Sequence, residues 1–162
     1  MGLARRLQNH PRLLAVGYKA NLWIAMKLKF AIRIVGAERL ARWLAVPEEF
    51  TKRRIFDCKM CGQCILHSTG MTCPMTCPKN LRNGPCGGVR ANGHCEVEPE
   101  MRCIWVEAFE RSQMMTTYKD ELHILQPPVD RQLEGSSAWV NLMTGKDRVT
   151  TAGWGDTPKA GG

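Results

Sequence analysis

Eight cysteines fall between Cys58 and Cys103, and the chain of 162 residues has no others. They begin as C-x2-C-x2-C (Cys58, Cys61, Cys64), and eight residues separate Cys64 from Cys73. A C-x3-C step leads to Cys77, and gaps of eight, eight and seven residues lead on to Cys86, Cys95 and Cys103. Zinc modules usually draw cysteines in pairs from short knuckles. Three cysteines at successive x2 spacing suit an iron–sulfur cube better, because one wrapping loop can send three thiolates to three irons while a remote cysteine takes the fourth. The remote ligand of such runs precedes a proline, and both Cys73-Pro74 and Cys77-Pro78 have that form.

Eight thiols divided by four predict two [4Fe–4S] clusters, with Cys58, Cys61 and Cys64 sharing one of them. Spacing leaves open which of Cys73, Cys77, Cys86, Cys95 and Cys103 completes that set. The alternatives are one cluster plus zinc, or zinc alone in a structural module, where His67 and His94 become candidate ligands. A lone histidine in a polar loop is more often solvated. Gly62, Gly87 and Gly88 would let backbone approach a cluster closely. Lys59, Lys79, Arg82 and Arg90 lie among the ligands and would offset cluster charge and raise its potential. Met60, Met71, Met75, Met114 and Met115 read as packing, and the alternating Glu96, Glu98 and Glu100 as a solvated turn or strand face. There is no G-x-G-x-x-G, P-loop or G-x-S-x-G. No catalytic residue is assigned.

The elements that must hold these thiols divide the chain into four stretches. Residues 1–50 form a basic amphipathic helical segment. Residues 51–106 form the eight-cysteine metal-binding domain. Residues 107–145 form a helix followed by an extended partner-docking stretch, and residues 146–162 a flexible tail. The expected fold is a small, irregular, metal-stabilised cysteine-rich domain flanked by α-helices, mostly α plus loops. Residues 12–46 read as two helices. In the first, Ile24, Leu28, Ala31, Ile32 and Val35 share a face, while Trp23, Met26, Phe30 and Ile34 form a second stripe. Gly36 is the break. A shorter helix with Leu40, Trp43 and Leu44 on one face is expected to end before Pro47. The cysteine region is rich in Gly and Pro and lacks apolar periodicity, so it cannot fold on an oily core alone. Residues 104–123 read as helix, with Trp105, Ala108 and Phe109 on one face. Trp139, Val140 and Leu142 are the anchors expected of the extended stretch.

The net charge of +8 is uneven. Residues 1–54 hold twelve Lys/Arg against three Glu, or +9, so the remainder sums to −1. A basic segment can meet nucleic acid, anionic lipid or an acidic protein face. A nucleic-acid-binding zinc protein is disfavoured, because the basic residues are not in the cysteine module and decorate helices too apolar to lie free in a groove. A membrane surface is allowed by the two stripes without being required. No apolar h-region with a cleavage site is visible near the start, and Lys19, Lys27, Lys29 and Arg33 interrupt the apolar stretch. The expected setting is therefore the reducing cytoplasm, where clustered thiols bind metal rather than form disulfides.

The run "FDCKMCGQCILHSTGMTCPMTCPKNLRNGPCGGVRANGHCEVEPEMRCIWVEAFERS" resembles the methylenetetrahydrofolate reductase C-terminal domain family over about residues 56–112. The CxxCGxC run, the TGxxCPxxCPK stretch, the LRNGPCGG turn and the late Cys followed by Trp carry that resemblance, and the later "QPPVD…GSS" is similar to stand-alone bacterial members. The resemblance implies a small iron–sulfur subunit beside a flavin-containing TIM-barrel methylenetetrahydrofolate reductase, with flavin and folate on the partner. The eight cysteines carry over in order, and no substrate contact does. Corrinoid and methyltransferase components are further partners that the resemblance suggests. The implied role is electron transfer in one-carbon metabolism, and the alternative is a structural zinc module that assembles such a complex.

Overall fold

The computed structural model describes residues 7–150. Four helices are defined among them: α1 (Pro11–Val35), α2 (Ala37–Phe56), α3 (Ile104–Met114) and α4 (Ala138–Thr144). Short 3-10 turns join the rest, and no strand occurs among the described residues beyond one antiparallel bridge between His94 and Arg102. No helix among them is long and apolar enough to cross a membrane.

Pro11 opens α1 at its first turn, where a missing N–H costs nothing. Gly36, at φ +87°, closes α1 and starts α2. The expected stop before Pro47 does not occur, and α2 runs on to Phe56. Thr51 Oγ1 donates to the Pro47 carbonyl at 2.7 Å. The next residue, Glu48, is fully buried and anchored to the far end of the chain. Tertiary anchoring outweighs the roughly 3 kcal/mol that an interior proline costs a helix.

Of the two apolar stripes expected on α1, the first is covered only in part. Ala15 and Ala25 are its buried apolar side chains beyond Pro11, with Ala31 and Ile32 partly covered. Ile24 and Leu28, of the first stripe, are exposed. The stripe of Trp23, Met26, Phe30 and Ile34 is exposed throughout.

Residues 138–144 are not extended. Ser137 caps α4 by accepting from Val140 N–H at 3.3 Å, and Gly145, at φ +79°, ends it. Val140 and Met143 are buried with Ala25 and Leu40, so α4 is seated on α1 and α2. The anchors expected for a partner are thus used within the chain, with Trp139 and Leu142 half-buried. Spacing over so short a stretch does not separate a capped seven-residue helix from an extended segment. α3 likewise stops at Met114, earlier than expected, and a 3-10 turn covers Lys119–His123. The β-branched pair Thr116-Thr117 and Tyr118, at φ +64°, separate the two. Of the tail, residues 146–148 form a 3-10 turn, and 151–162 lie outside the described residues.

The cysteine region has more of an interior than its composition suggests. Met60, Ile65, Leu66, Met71 and Met75 are all buried, and Met115 joins them; Met114 is exposed. Gly70, at φ +61°, lies against α3: a Cβ there would meet Ala108 O at 2.6 Å and Ser112 N at 2.7 Å. Arg111 reaches back from α3 to Thr72 Oγ1 at 2.8 Å.

His67 is not solvated as expected. It stacks on Tyr18 with centroids 5.6 Å apart, meets the edge of Tyr118, and lies 3.4 Å from the Glu121 carboxylate. Burial lowers its pKa. A base with a lowered folded pKa contributes stability above its unfolded value of about 6.5, and loses it as pH falls below that value. Glu121, whose pKa burial raises, works in the opposite sense nearer pH 4.5. Denaturant midpoints should therefore fall as pH drops from about 7.5 to about 5.5, by no more than about 1.4 kcal/mol per pH unit for one proton. His67→Phe should flatten that slope.

Candidate metal centre

α2 delivers the chain to the first thiols. It ends at Asp57 in the left-handed region (φ +50°), and Met60 (φ +49°) and Gly62 (φ +76°) repeat that turn. The resulting loop coils tightly, with Met60 N–H donating to Cys58 Sγ at 3.3 Å. Cys58, Cys61 and Cys64 then face a single cavity, and Cys73 is the fourth thiol in its wall. Of the five cysteines left open by spacing, Cys73 is the one that the structure brings beside this run.

Cys73 and Cys77 flank one 3-10 turn, Pro74–Thr76, as its two caps. Pro74 starts that turn at a position that needs no N–H. The turn sends the two cysteines apart. Cys77 lines a second cavity with Cys86, Cys95 and Cys103. There, Cys95 N–H donates to Met101 O and Cys103 N–H to Gly93 O, both at 2.9 Å, which holds the small loop closed. Cys103 also forms the N-cap of α3, and Trp105 in its first turn donates to Leu81 O at 3.3 Å. The eight thiols, all free of disulfides, thus divide four and four.

The two cavities differ in charge. The first has two nearly buried cations in its wall, Lys52 and Arg82. Lys52 Nζ is paired with Glu48 at 2.6 Å. Burial alone would lower the Lys52 pKa; the negative charge of Cys64 and then of Glu48 outweighs it and raises the value above the ordinary one. Arg82 Nη2 donates to Gln63 O at 3.1 Å, while Nε and Nη1 are buried without a well-formed hydrogen bond. Burial lowers the Arg82 pKa, and the adjacent Cys61 opposes that shift. The second cavity has Lys79, half-exposed and ion-paired with Glu96.

The thiols respond accordingly. The hydrogen bond with Cys73, followed by burial, raises the Cys58 pKa, and the same bond lowers that of Cys73. Burial raises the Cys61 pKa. The exposed Cys86 is lowered, first by the Gly88 backbone N–H and also by Lys79. No three His, Cys, Asp or Glu side chains among the described residues converge closely enough to hold a metal ion as they stand. The donor chemistry nevertheless fits: four soft thiolates per cavity are the set used by [4Fe–4S] clusters and by closed zinc sites. The unpaired Arg82 donors suit an anionic occupant. His67 and His94 line neither cavity.

Other expected neighbours sort differently. Lys59 pairs with Asp57 on the surface, and Arg90 braces the second loop by donating to Cys95 O at 3.2 Å. Gly62 lines the first cavity, and a Cβ there would also fall on the Leu133 carbonyl oxygen. Gly88 does line the second cavity, and a Cβ there would fall on the Glu96 carboxylate. Glu96, Glu98 and Glu100 are exposed, as expected of a solvated face.

Sequence reasoning missed Gln63 and the Glu48–Lys52 pair. Buried Gln63 accepts from Asp130 N–H at 2.8 Å and donates to Asp147 O at 3.1 Å. Asn141 Nδ2 donates to Gly62 O at 2.9 Å, and Gly135 N–H to Met60 O at 2.8 Å. Residues 130–147 are thereby strapped over the first thiol loop. The i, i+4 spacing of Glu48 and Lys52 was the available signal for that pair; nothing in the sequence marked Gln63.

Comparison with known proteins gives one result. The family model described as "Methylene-tetrahydrofolate reductase C terminal" matches residues 39–132, which include most of α2, all eight cysteines and α3. No curated protein and no solved structure matches the chain. With more than half its length matched, the chain belongs to the methylene-tetrahydrofolate reductase C-terminal family.

Proposed function

We propose that the chain is the iron–sulfur electron-transfer subunit of a methylenetetrahydrofolate reductase complex. The observation that carries this reading is the four-and-four division of thiols between two cavities. Each quartet would hold one [4Fe–4S] cluster: Cys58, Cys61, Cys64 and Cys73 the first, and Cys77, Cys86, Cys95 and Cys103 the second.

The described residues contain no barrel, so the flavin and folate chemistry belongs to a partner, a flavin-containing TIM-barrel reductase. Flavins exchange electron pairs with substrates and single electrons with clusters. This chain would relay those single electrons between the flavin and an external carrier in a reducing cytoplasm. A corrinoid or methyltransferase component is a further partner consistent with one-carbon metabolism.

Arg82 and Lys52 would stabilise the reduced, more negative form of the first centre and raise its potential over that of the second. The test is metal and sulfide analysis of protein purified without oxygen. About eight irons and eight sulfides per chain, with a paramagnetic signal after dithionite, are expected. Arg82→Gln should move one of two couples to lower potential and leave the other in place. Colourless protein with stoichiometric zinc would overturn the relay and leave the structural zinc module.

A further inference from the structure

Helix α1 carries a seam that nothing among the described residues covers. Leu13, Val16, Ala20, Trp23, Lys27, Phe30 and Ile34 recur at alternating steps of three and four residues. That is the a/d spacing of a heptad helix. All seven positions are exposed; Leu13, Val16, Trp23, Phe30 and Ile34 each leave 63–71% of their area in solvent. The opposite side of α1 is the one that meets the rest of the molecule, through Ala15 and Ala25. The seam runs roughly 32 Å at 1.5 Å per residue, and it lies N-terminal to the residues matched by the family model.

We infer that this seam is the docking surface for an acidic amphipathic helix of another polypeptide. Three features select that occupant. First, the knob positions are large and apolar except for Lys27, which sits near the middle of the seam with its ammonium 5.6 Å from the Trp23 ring centroid. A single polar residue at such a position sets register, and here it calls for a carboxylate opposite.

Second, the flanking positions on one side are Arg12, Lys19, Met26 and Arg33, all exposed, although Arg12 Nε also donates to Met114 O at 2.7 Å and Lys19 lies over the Tyr118 ring, while those on the other are Gly17, Ile24 and Ala31. A second copy of the chain is a poor match in either direction. Antiparallel pairing sets the basic flank against itself. Parallel pairing sets it against the uncharged flank and brings Lys27 against Lys27. Buried like charges are strongly unfavourable.

Third, a lipid surface would have to draw the Lys27 ammonium toward acyl chains from the centre of the apolar face. Interfacial helices instead keep their cations at the polar margin. Glutamates along a partner helix would answer both the flank and Lys27. The inference is independent of what the thiols hold.

The test uses the full chain, purified without oxygen, and a synthetic 28-residue helix. The peptide has leucine along its seam except for one central aspartate, and glutamate on both flanks, so that it repels itself and stays monomeric. A control peptide has lysine flanks. Expected is one-to-one binding of the acidic peptide, at least tenfold tighter than the control, and at least tenfold weaker when salt rises from about 0.05 M to about 0.5 M. Phe30→Glu should weaken it more than tenfold. Val46→Glu, equally exposed on α2, should not. Unchanged helical circular dichroism and metal content would show that both variants keep the fold.

Equal binding of the two peptides, indifference to Phe30→Glu, or no binding at all overturns the proposal. So does a dimer of the chain that Phe30→Glu dissociates, which assigns the seam to a second copy. Binding to vesicles of three parts phosphatidylcholine to one part phosphatidylserine, dependent on Trp23 and without peptide binding, assigns it to lipid.

Discussion

With one cluster in each quartet, as proposed, replacing Cys61 with serine should remove about half of the iron and sulfide, and replacing Cys95 should remove the other half. The reasoning starts from the turn at Pro74–Thr76, whose two caps direct Cys73 and Cys77 into different cavities. No thiol lines both, so loss of one ligand leaves the other quartet whole. Serine is a poor ligand for soft metal centres but preserves the side chain's size. Cys61 is half-buried, and its hydrogen-bond contact to Gln63 O is available to a hydroxyl. The measurement is iron and sulfide per chain, with spin quantitation after reduction. Each variant should retain about four irons, and the two residual signals should add to that of the unaltered protein. Complete loss from either single change would mean that the thiols act as one site.

Glu48→Ala should destabilise the protein by about 3–5 kcal/mol, the range expected when one partner of a buried ion pair is removed. Lys52 Nζ lies over the Trp139 ring, 5.3 Å from its centroid, and cannot reach water without disturbing α4. Glu48 Oε2 accepts from Ser137 Oγ at 2.6 Å, so the change also strips the residue that caps α4 of its own partner. Replacing both members, Glu48→Leu with Lys52→Met, should recover most of the loss, because an apolar pair of similar volume avoids the desolvation cost. Denaturant midpoints at fixed pH and fixed cluster content measure both. A loss below about 1 kcal/mol in Glu48→Ala would mean that the thiolates near Lys52 already neutralise it.

Local rules reached far into this fold. The break at Gly36 follows from the one residue that tolerates φ +87° at a helix junction. The shared fate of Cys58, Cys61 and Cys64 follows from x2 spacing in a coiled loop. Cys73 could not be assigned from spacing, because a C-x3-C step does not reveal that a 3-10 turn points its ends apart. Pro47 misled for a related reason: its local cost is real, but the contact that offsets it comes from Ser137, 89 residues away by way of Glu48. The same long reach explains α4 and His67. Val140 is buried by Ala25 and Leu40, and His67 by Tyr18 and Tyr118. Such partners are set by topology, which periodicity in a short window does not contain.

The strap over the first thiol loop has a consequence for how the molecule is made. A ribosome delivers Cys58 through Cys73 long before Gly135, Asn141 and Asp147, the groups that tie the strap to Met60, Gly62 and Gln63. Cys58, Cys61, Cys64 and Cys73 are therefore made before the strap that ties down their loop, and the second quartet is complete once Cys103 emerges. Any occupant of the first quartet can thus be loaded before residues 130–147 are there to tie down its loop.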